Sequence, residues 1–570
     1  MKLNLLKKIS KLLDYEQKYQ VFILIFFMLI ASLSELFGLG LIIFIINSFL
    51  GINNEIYFSS LNNLSFIKNN FNNIYYILLL FFLVFTLKFI ILLYVSWLES
   101  SFLAKFRESI SYKLYNNFLS RDSLNIWRRN SAEYLRNFSE DINLGVLFYS
   151  SLIKVLLDLI IFFCFFIFLI LYQPAISLSV IAFFSSIVII YYFSIKNIIL
   201  RSARQGLLNR KKKIQFINES FSSIKYIKIL SSENFFLKKF KLQNSLLYKT
   251  QFKTTFLGLI PKHTLEYILF LSIILLLFFL VKNEFQKEQI FQMLSIYTLS
   301  AFRVIPVLNR ILSSAQNIRF TFPSFEKIFI ENNYPLIIKD KIVNKFFFNK
   351  IIKIKINKFS YDNKNKFFLK NILINIPKNA KIGIVGQSGS GKSTLVDIIC
   401  GFRGLKEKNV LVDGKTIASN LPGWHKIIGY IPQNIVILNQ SLRENILFGS
   451  TKKHFSDNEI KKILKQVDLY NFLKKLPNGL SQVINEDGHN ISGGEKQRIG
   501  IARALLNNPE IIILDEATSS LDSFTENKIL SSIKNLKKTI IIISHRVNTL
   551  NFCDKVYSID NNTLKRIIIN

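Results

Sequence analysis

Apolar residues form long runs in the first part of the chain and short alternating runs in the last part. Before about residue 320, six runs contain roughly 20 apolar residues each, the length that an α-helix needs to cross a bilayer. They are Val21–Leu50, Ile74–Leu98, Leu152–Tyr172, Ala175–Phe193, Leu257–Leu280 and Ile290–Leu312. Arg303, Pro306 and Arg310 interrupt the sixth run. The pattern therefore predicts an α-helical membrane domain over residues 1–320, with six transmembrane helices.

Basic residues are concentrated in alternate connections between these runs. Segment 194–258 holds 14 Lys and Arg against two acidic residues, whereas segments 51–73 and 282–289 carry little net charge. Because positive loops stay in the cytoplasm, we expect the N-terminus, segments 99–150 and 194–258, and everything after residue 312 to be cytoplasmic.

The two long cytoplasmic segments carry apolar residues at helical spacing, in Ser101–Phe118 and Asn209–Leu230. We expect them to continue the membrane helices into the cytoplasm, with turns near Ser123–Arg129 and Ser231–Phe240. Two independent amphipathic hairpins on the membrane surface are the alternative interpretation.

The pattern changes again after a connector at residues 321–350. From Ile351 onward, Ile352, Ile354 and Ile356 alternate with lysines, as in a half-exposed β-strand, and further strand candidates follow. We therefore predict a soluble α/β domain over residues 351–570.

A glycine-rich motif lies early in this domain. The stretch Gly386-Gln387-Ser388-Gly389-Ser390-Gly391-Lys392-Ser393-Thr394 fits the phosphate-binding pattern G-x-x-x-x-G-K-[ST]. A short strand pattern precedes it and an apolar helical run follows it, which is the context that the motif requires. Backbone N–H groups of such a loop surround phosphate oxygens, Lys392 reaches the β- and γ-phosphates, and Ser393 binds Mg²⁺. A glycine turn before an ordinary helix is the alternative.

Two further stretches suit the same chemistry. The apolar run that begins at Ile511 ends in Asp515 and Glu516, as a buried parallel strand with acids at its carboxyl end would. Asp515 can hold the Mg²⁺, and Glu516 can activate a water for attack on the γ-phosphate. Ser492-Gly493-Gly494 opens a helix and predicts a second anion-binding N-terminus.

These residues together resemble the nucleotide-binding domain of ATP-binding-cassette (ABC) transporters, over essentially all of 351–570. Tyr361 resembles the aromatic residue that stacks on adenine, and Gln433 resembles the loop glutamine that contacts Mg²⁺ or the attacking water. Ser492-Gly493-Gly494 resembles the family signature. Asp522 ends a stretch that resembles the dimer-contacting loop, and His545 resembles the switch histidine that contacts the γ-phosphate.

The resemblance implies an ATPase coupled to transport, with ATP and Mg²⁺ as cofactors. The signature departs from the commoner pattern at Ile491 and Glu495 but keeps its serine and glycines. The membrane half resembles an exporter-type domain. One chain supplies six spans and one cassette, so a homodimer with composite ATP sites is implied, in the bacterial inner membrane with the nucleotide-binding domain in the cytoplasm. The sequence is equally compatible with a heterodimer.

Four basic residues within the predicted spans are candidates for substrate binding, since ionisable residues in a membrane are costly. Lys88 lies in the second span, Lys262 near the start of the fifth, and Arg303 and Arg310 share a face of the sixth. Such cations suit a phosphate or pyrophosphate headgroup. A structural role stays open for each, because long side chains near the interface can reach water and Glu35 or Glu266 could neutralise a neighbour.

The membrane half further resembles the bacterial lipid-linked oligosaccharide flippases, around Pro261–Glu266 and Tyr297–Ile311. This implies export of a polyprenyl-pyrophosphate-linked oligosaccharide across the inner membrane. An exporter of lipid A, other lipids, peptides or drugs is the alternative.

Composition separates the remaining functional classes. A net charge of +36 would suit nucleic acid, but 50% hydrophobic residues and a mean hydropathy of +0.31 favour a membrane protein instead. We therefore expect no nucleic-acid partner, in contrast to the soluble cassette ATPases of DNA repair or translation, which lack fused membrane spans. Three scattered cysteines argue against a disulfide framework. A catalytically inactive cassette acting as a sensor or channel is a further class, which the acid at Glu516 disfavours.

Overall fold

The computed structural model describes most of the chain. The described residues are 2–49, 74–121, 131–172, 174–283, 287–334, 346–360, 369–387, 389–404, 408–450, 455–485, 491–517, 522–534, 536–544, 550–551 and 553–567. The chain divides into two compact units, one extending to Leu336 and the other beginning at Ile337.

The first unit is entirely helical over its described residues. Its helices are α1 (Lys2–Leu12), α2 (Tyr15–Phe49), α3 (Ile74–Leu119), α4 (Ser131–Arg136), α5 (Ile142–Tyr172), α6 (Pro174–Ser222), α7 (Ile224–Ile229), α8 (Glu233–Lys282) and α9 (Lys287–Asn332). A π-helical turn, Asn137–Asp141, joins α4 to α5.

All six predicted spans lie within long helices of this unit. Four stretches are long and apolar enough to cross a membrane, judged by length and composition over the described residues: Tyr15–Gly38, Leu78–Leu119, Glu133–Phe168 and Glu233–Lys282. The sixth span also lies in an unbroken helix, since α9 continues through Pro306. Membrane helices tolerate proline because neighbouring groups satisfy the freed backbone atoms.

Several of these helices extend well past the apolar runs, as the sequence predicted. Helix α3 continues to Leu119 and α6 continues to Ser222, while α8 begins at Glu233, before its apolar part. The turn predicted near Ser231–Phe240 was therefore too long, since α8 already includes residues 233–240. The turn predicted near Ser123–Arg129 lies outside the described residues. Helix α5 packs along α9, and buried residues such as Phe148 and Phe325 stack between them. Large apolar side chains on other faces, including Phe82 and Phe278, are exposed, as expected of surfaces that contact lipid.

Ion pairs of buried or half-buried side chains lie at the far ends of α3, α4 and α9. Arg121 at the end of α3 lies 2.5 Å from Glu331 on α9, and Arg136 on α4 lies 3.1 Å from Asp141 in the π-helical turn. Lys327 on α9 lies 2.8 Å from Glu133 on α4. We call these six residues the ion-pair cluster.

The second unit contains two main sheets and a small one. Its strands are β1 (Ile351–Phe359), β2 (Leu369–Pro377), β3 (Lys381–Gly386), β4 (Val410–Val412), β5 (Lys415–Thr416), β6 (Ile428–Ile431), β7 (Gln440–Ser441), β8 (Val483–Ile484), β9 (Ile511–Asp515), β10 (Thr539–Ile543), β11 (Lys555–Asp560) and β12 (Thr563–Ile567). Its helices are α10 (Lys392–Ile399), α11 (Leu421–Lys426), α12 (Leu442–Leu447), α13 (Asp457–Gln466), α14 (Tyr470–Lys475), α15 (Gly493–Leu506) and α16 (Ser523–Lys534).

The larger sheet has the order β12-β11-β3-β10-β9-β6 and is parallel except for β12. Its central strands are apolar on both faces. Alternate residues face opposite sides of the sheet, so Ile511 and Ile513 pack into one core while Ile512 and Leu514 pack into another. The smaller antiparallel sheet has the order β2-β1-β4-β5.

The register of the parallel strands decides where the chemistry lies. Ile543 on β10 pairs with Ile384 on β3 and with Asp515 on β9. The carboxyl ends of these three strands therefore lie at one edge of the sheet, where open α/β sheets bind ligands.

Candidate functional site

The glycine-rich loop connects β3 to α10 at this edge. Gly391 is the N-cap of α10 with φ +103°, and Gly389 has φ +81°, both in the region that disfavours a side chain. A Cβ at Gly386 would lie 2.6 Å from Ser390 Oγ and 2.7 Å from Ile559 O, so the loop can close only around a glycine there. The sequence pattern thus matches the backbone geometry that a phosphate cradle needs.

Lys392 is buried within the loop. Its Nζ donates hydrogen bonds to Gly386 O (2.8 Å) and Gln387 O (2.9 Å). Burial lowers the pKa of Lys392, while the nearby carboxylates of Glu516 and Asp515 oppose that shift. The ammonium is therefore held inside the cradle beside two acids.

One buried atom of the loop fits the binding of an anion. Ser390 Oγ is buried and has no hydrogen-bond partner within the part of the chain that the structure describes. Buried hydroxyls are normally paired, so an anion in the loop would supply the acceptor. This fits a nucleotide phosphate.

Asp515 ends β9 and is buried. Burial, reinforced by the charge of Glu516, raises its pKa, and Tyr430 Oη donates a hydrogen bond to its Oδ2 at 3.4 Å. A cation beside it would favour the ionised form. Among the described residues no cluster of three or more His, Cys, Asp and Glu could hold a metal ion. A Mg²⁺ beside Asp515 would also take phosphate oxygens and waters as ligands, as that ion commonly does.

Glu516 follows directly, in an unusual backbone conformation. Its φ is +51°, its N–H donates to Ile543 O at 3.0 Å, and its Oε2 accepts a hydrogen bond from Gln433 Nε2 at 2.7 Å. Such a conformation costs a non-glycine residue of order 1 kcal/mol or more and is common at functional sites. The structure thus joins two residues that the sequence had predicted separately, 83 positions apart.

Ser492 is the N-cap of α15, a helix of 14 residues. Its Oγ accepts a hydrogen bond from Glu495 N at 3.2 Å, and the Glu495 carboxylate accepts from Ser492 N (2.7 Å) and Ser492 Oγ (2.9 Å). This reciprocal capping box holds the helix N-terminus in the form predicted for an anion site. It also places the carboxylate of the unusual Glu495 on the signature serine.

Asp522 caps the start of α16. Its Oδ2 accepts a hydrogen bond from Thr525 N at 2.9 Å, and Thr525 lowers the pKa of this exposed carboxyl. Its role at a dimer contact stays a prediction. Tyr361, Ser388 and His545 lie outside the described residues, and their roles stay predictions as well.

The candidate substrate residues occupy different environments. Lys88 is buried on α3, with its ammonium 5.6 Å from the Phe85 ring centroid. Lys262 on α8 is exposed. Arg303 lies on α9, with its side chain outside the described set. Arg310 forms an ion pair with Asp158 on α5, so its charge is already partly matched.

Sequence reasoning missed Asp158. A signal was present, because Asp158 is the only acidic residue in the third predicted span. The two acids that were considered behave differently: Glu266 approaches His263 at 3.8 Å, and the Glu35 side chain lies outside the described set.

Family models match both units. An ABC transporter model matches residues 369–519, and a model of the ABC transporter transmembrane region matches residues 20–302, so together they match about three quarters of the chain. Matches to both halves confirm the predicted fold class, a helical membrane domain followed by a phosphate-loop α/β domain.

Curated relatives resemble parts of the chain. A putative export ATP-binding/permease protein of Rickettsia felis is 32% identical over 368 residues, which is 60% of each chain. An ATP-dependent lipid A-core flippase of Haemophilus influenzae is 36% identical over 210 residues, 36% of each chain. A leukotoxin export ATP-binding protein of Aggregatibacter actinomycetemcomitans is 39% identical over 206 residues, 36% of this chain and 29% of the relative. Alignments with the first relatives span 30% to 60% of their length.

A solved structure resembles the chain over nearly its whole length. The structure of a bacterial Atm1-family ABC exporter with ATP bound superposes with a TM-score of 0.79 and covers 96% of this chain and 94% of its own. At 18% identity this shows a shared fold.

Proposed function

The chain belongs to the ABC transporters, and on that premise we propose that it is an ATP-driven exporter whose cassette hydrolyses ATP to move an amphiphilic substrate outward. The observation that carries this proposal is the contact between Gln433 and Glu516 at the sheet edge beside the phosphate loop. A carboxylate fixed next to a buried lysine and a phosphate cradle suits proton abstraction from a water that attacks the γ-phosphate.

Each residue of the site has a distinct task in this proposal. The loop N–H groups and Lys392 bind the phosphates of ATP. Glu516 accepts the proton of the attacking water, and Gln433 orients that carboxylate. Ser393, Asp515 and Gln433 would hold Mg²⁺, which neutralises charge on the phosphates. His545 would contact the γ-phosphate and Tyr361 would stack on adenine.

The second anion site requires a second copy. Ser492 caps a helix N-terminus of its own, and the phosphate loop already accounts for one nucleotide. We propose a homodimer in which Ser492, Gly493 and Gly494 of one protomer complete the ATP site of its partner, with Asp522 at the contact. ATP binding would then bring the cassettes together and hydrolysis would release them.

The membrane unit would carry the substrate. Long apolar helices that extend past the bilayer thickness suit a multi-pass protein of the bacterial inner membrane, with its cassette in the cytoplasm. The basic residues Lys88, Lys262, Arg303 and Arg310 support an anionic headgroup, and we propose a polyprenyl-pyrophosphate-linked oligosaccharide as substrate.

Lipid A, another lipid, a peptide or a drug is the second candidate. The likeness to a lipid A-core flippase favours the lipid, and the likeness to a leukotoxin exporter favours a polypeptide. A lipid A-type substrate would share the phosphate chemistry, whereas an uncharged drug would not use the basic residues.

Glu516→Gln tests the enzymatic part. In the full chain reconstituted in liposomes, ATP turnover should fall about 10²–10⁴-fold, the usual contribution of a general base. Glu510→Gln is the matched control, since Glu510 lies just before the same strand and pairs with Lys378 at its exposed end. Comparable turnover in both variants would refute the role of Glu516.

A second experiment decides between the substrates. It measures transport of polyprenyl-pyrophosphate glycan, lipid A and a neutral drug side by side.

A further inference from the structure

An acidic and a basic residue meet where the third and sixth predicted spans pack together. Arg310 on α9 directs Nε (2.9 Å) and Nη2 (2.8 Å) to the same oxygen, Oδ1 of Asp158 on α5. The two side chains differ in exposure: Asp158 is 7% exposed and Arg310 is 51% exposed. The acid is therefore enclosed, while the base keeps an open side.

Buried apolar residues flank this pair along both helices. Leu157 and Ile161 on α5 and Leu308 on α9 are buried nearby in sequence. A carboxylate in such surroundings depends on its cation, because little water is available to solvate it. The guanidinium carries five N–H donors, and only two of its nitrogens contact Asp158, so it retains the capacity to bind a second anion.

Further polar groups lie one and two turns before Asp158 on α5. Lys154 lies 3.7 Å from Glu99 on α3, and Ser150 Oγ donates to the same Glu99 oxygen at 3.3 Å. Positions 150, 154 and 158 share one face of a helix. Polar residues therefore line this face of α5 from just before the third predicted span to a position within it.

We propose that Asp158 is the resident counter-ion of Arg310, and that it competes with the phosphate headgroup of an amphiphilic substrate, which binds the open side of the guanidinium. This rests on the proposed exporter function and adds a specificity-determining residue to it. A phosphate or pyrophosphate group competes well for a guanidinium, since it offers more charge and bidentate geometry. A neutral lipid cannot compete with the carboxylate for the guanidinium. The pair therefore favours lipids with anionic headgroups over neutral lipids.

The difference in exposure separates this role from a structural staple between α5 and α9. A structural ion pair requires only that each charge has a partner of opposite sign. Here the cation is half open while its partner is enclosed, so a second anion can reach the guanidinium and compete with Asp158 for it. If the pair were only structural, removing it would change the response of the protein to neutral and to anionic lipids by the same factor.

The test uses the full chain in lipid nanodiscs and three variants: Asp158→Asn, Arg310→Gln and the double variant. The probes are polyprenyl pyrophosphate, lipid A, uncharged polyprenol and inorganic pyrophosphate. For each probe, direct binding and the half-saturating concentration for stimulating ATP hydrolysis are measured. Asp14→Asn is the matched control, since Asp14, between α1 and α2, forms an exposed ion pair 2.6 Å long with Lys113 on α3 of the same unit.

We expect Asp158→Asn to lower the half-saturating concentration of a phosphate lipid severalfold, because Arg310 no longer has a resident anion. Arg310→Gln should raise it, and the double variant should behave like Arg310→Gln. The response to polyprenol should be the same in all variants, and Asp14→Asn should match the wild type. A shift with polyprenyl pyrophosphate or with lipid A identifies the source of the headgroup, and a response to inorganic pyrophosphate alone overturns the lipid assignment.

Other outcomes contradict the proposal. If Asp158→Asn leaves phosphate-lipid affinity unchanged, or weakens it as much as Arg310→Gln does, the pair is structural. If Asp158→Asn does not fold, the double variant, which leaves no unpaired charge, must show a weaker preference for pyrophosphate lipid over polyprenol than the wild type. A preference as strong as that of the wild type refutes the idea. Failure of the exporter proposal itself looks different, since Glu516→Gln would then leave ATP turnover unchanged.

Discussion

Replacing Glu331 with Gln should strongly destabilise the helical unit. Arg121 Nη1 lies 2.5 Å from Glu331 Oε2, and the two side chains are only 3% and 9% exposed. Arg121 Nη2 also donates to Glu331 O at 2.7 Å, and the guanidinium lies 4.5 Å from the Tyr334 ring centroid. Because these contacts hold Arg121 in place, the variant leaves a buried charge without its carboxylate. Removing one partner of a buried pair costs about 3–5 kcal/mol.

Helix α9 offers a matched control five residues away. Glu326 pairs with Lys8 at 4.0 Å, but these side chains are 46% and 39% exposed. An exposed pair contributes about 0–1 kcal/mol. Glu326→Gln makes the same chemical change on the same helix, so the difference between the two variants isolates the effect of burial.

The assay is thermal unfolding of the full chain in detergent micelles, at one scan rate because unfolding of large proteins is often irreversible. At roughly 2 °C per kcal/mol for a large unit, Glu331→Gln should lower the apparent melting temperature by about 6 °C or more. The double variant Arg121→Met with Glu331→Leu should recover much of that loss, since an apolar pair leaves no buried charge. Equal melting temperatures for Glu331→Gln and Glu326→Gln would refute the reasoning.

Three other predictions concern the cassette. Glu495→Gln should lower the half-saturating ATP concentration about fivefold, because removing a carboxylate beside the Ser492 anion site relieves roughly 1 kcal/mol of repulsion; an unchanged value in an ATPase titration would contradict this. Asp413→Asn should lower the melting temperature at pH 7: burial raises the pKa of Asp413, but three backbone N–H donors outweigh it and lower the pKa. A lowered pKa stabilises the fold above about pH 4 and loses that effect as the pH falls through it, so the difference from wild type should narrow in acid; a constant difference from pH 7 to pH 3 would count against it. Gly429→Ala should cost about 1–3 kcal/mol, since its Cβ would lie 2.8 Å from the backbone oxygen of Ala504; unchanged melting of the variant would disprove it.

Much of the fold was predictable because its signals are local. Six long apolar runs predict membrane helices, and the structure contains a long helix at each. The apolar strand ending at Asp515 was predictable for the same reason, since a strand buried on both faces needs continuous apolar residues. The phosphate loop also depends on adjacent residues, and the glycines that the motif requires occupy left-handed or crowded positions.

The contacts between distant residues were not predictable in this way. Periodicity indicates which face of a helix is buried, but the rotation and register of packed helices decide which side chains meet. Arg310 was predicted to bind substrate, and only the packing of α5 on α9 showed that Asp158, 152 positions away, is its present partner. The ion-pair cluster depends equally on a π-helical turn, for which the sequence offers no simple pattern.

By itself, the sequence determined that this protein has a membrane half and a nucleotide-binding half, and it predicted which residues bear the ATP chemistry. Those properties depend on hydrophobic length and on short motifs, which act over a few neighbouring residues. Only the tertiary structure decided that Gln433 holds Glu516 and that Asp158 neutralises Arg310. Hydrogen bonds and ion pairs act over about 3 Å, so partners distant in sequence become known only once the chain has brought them together.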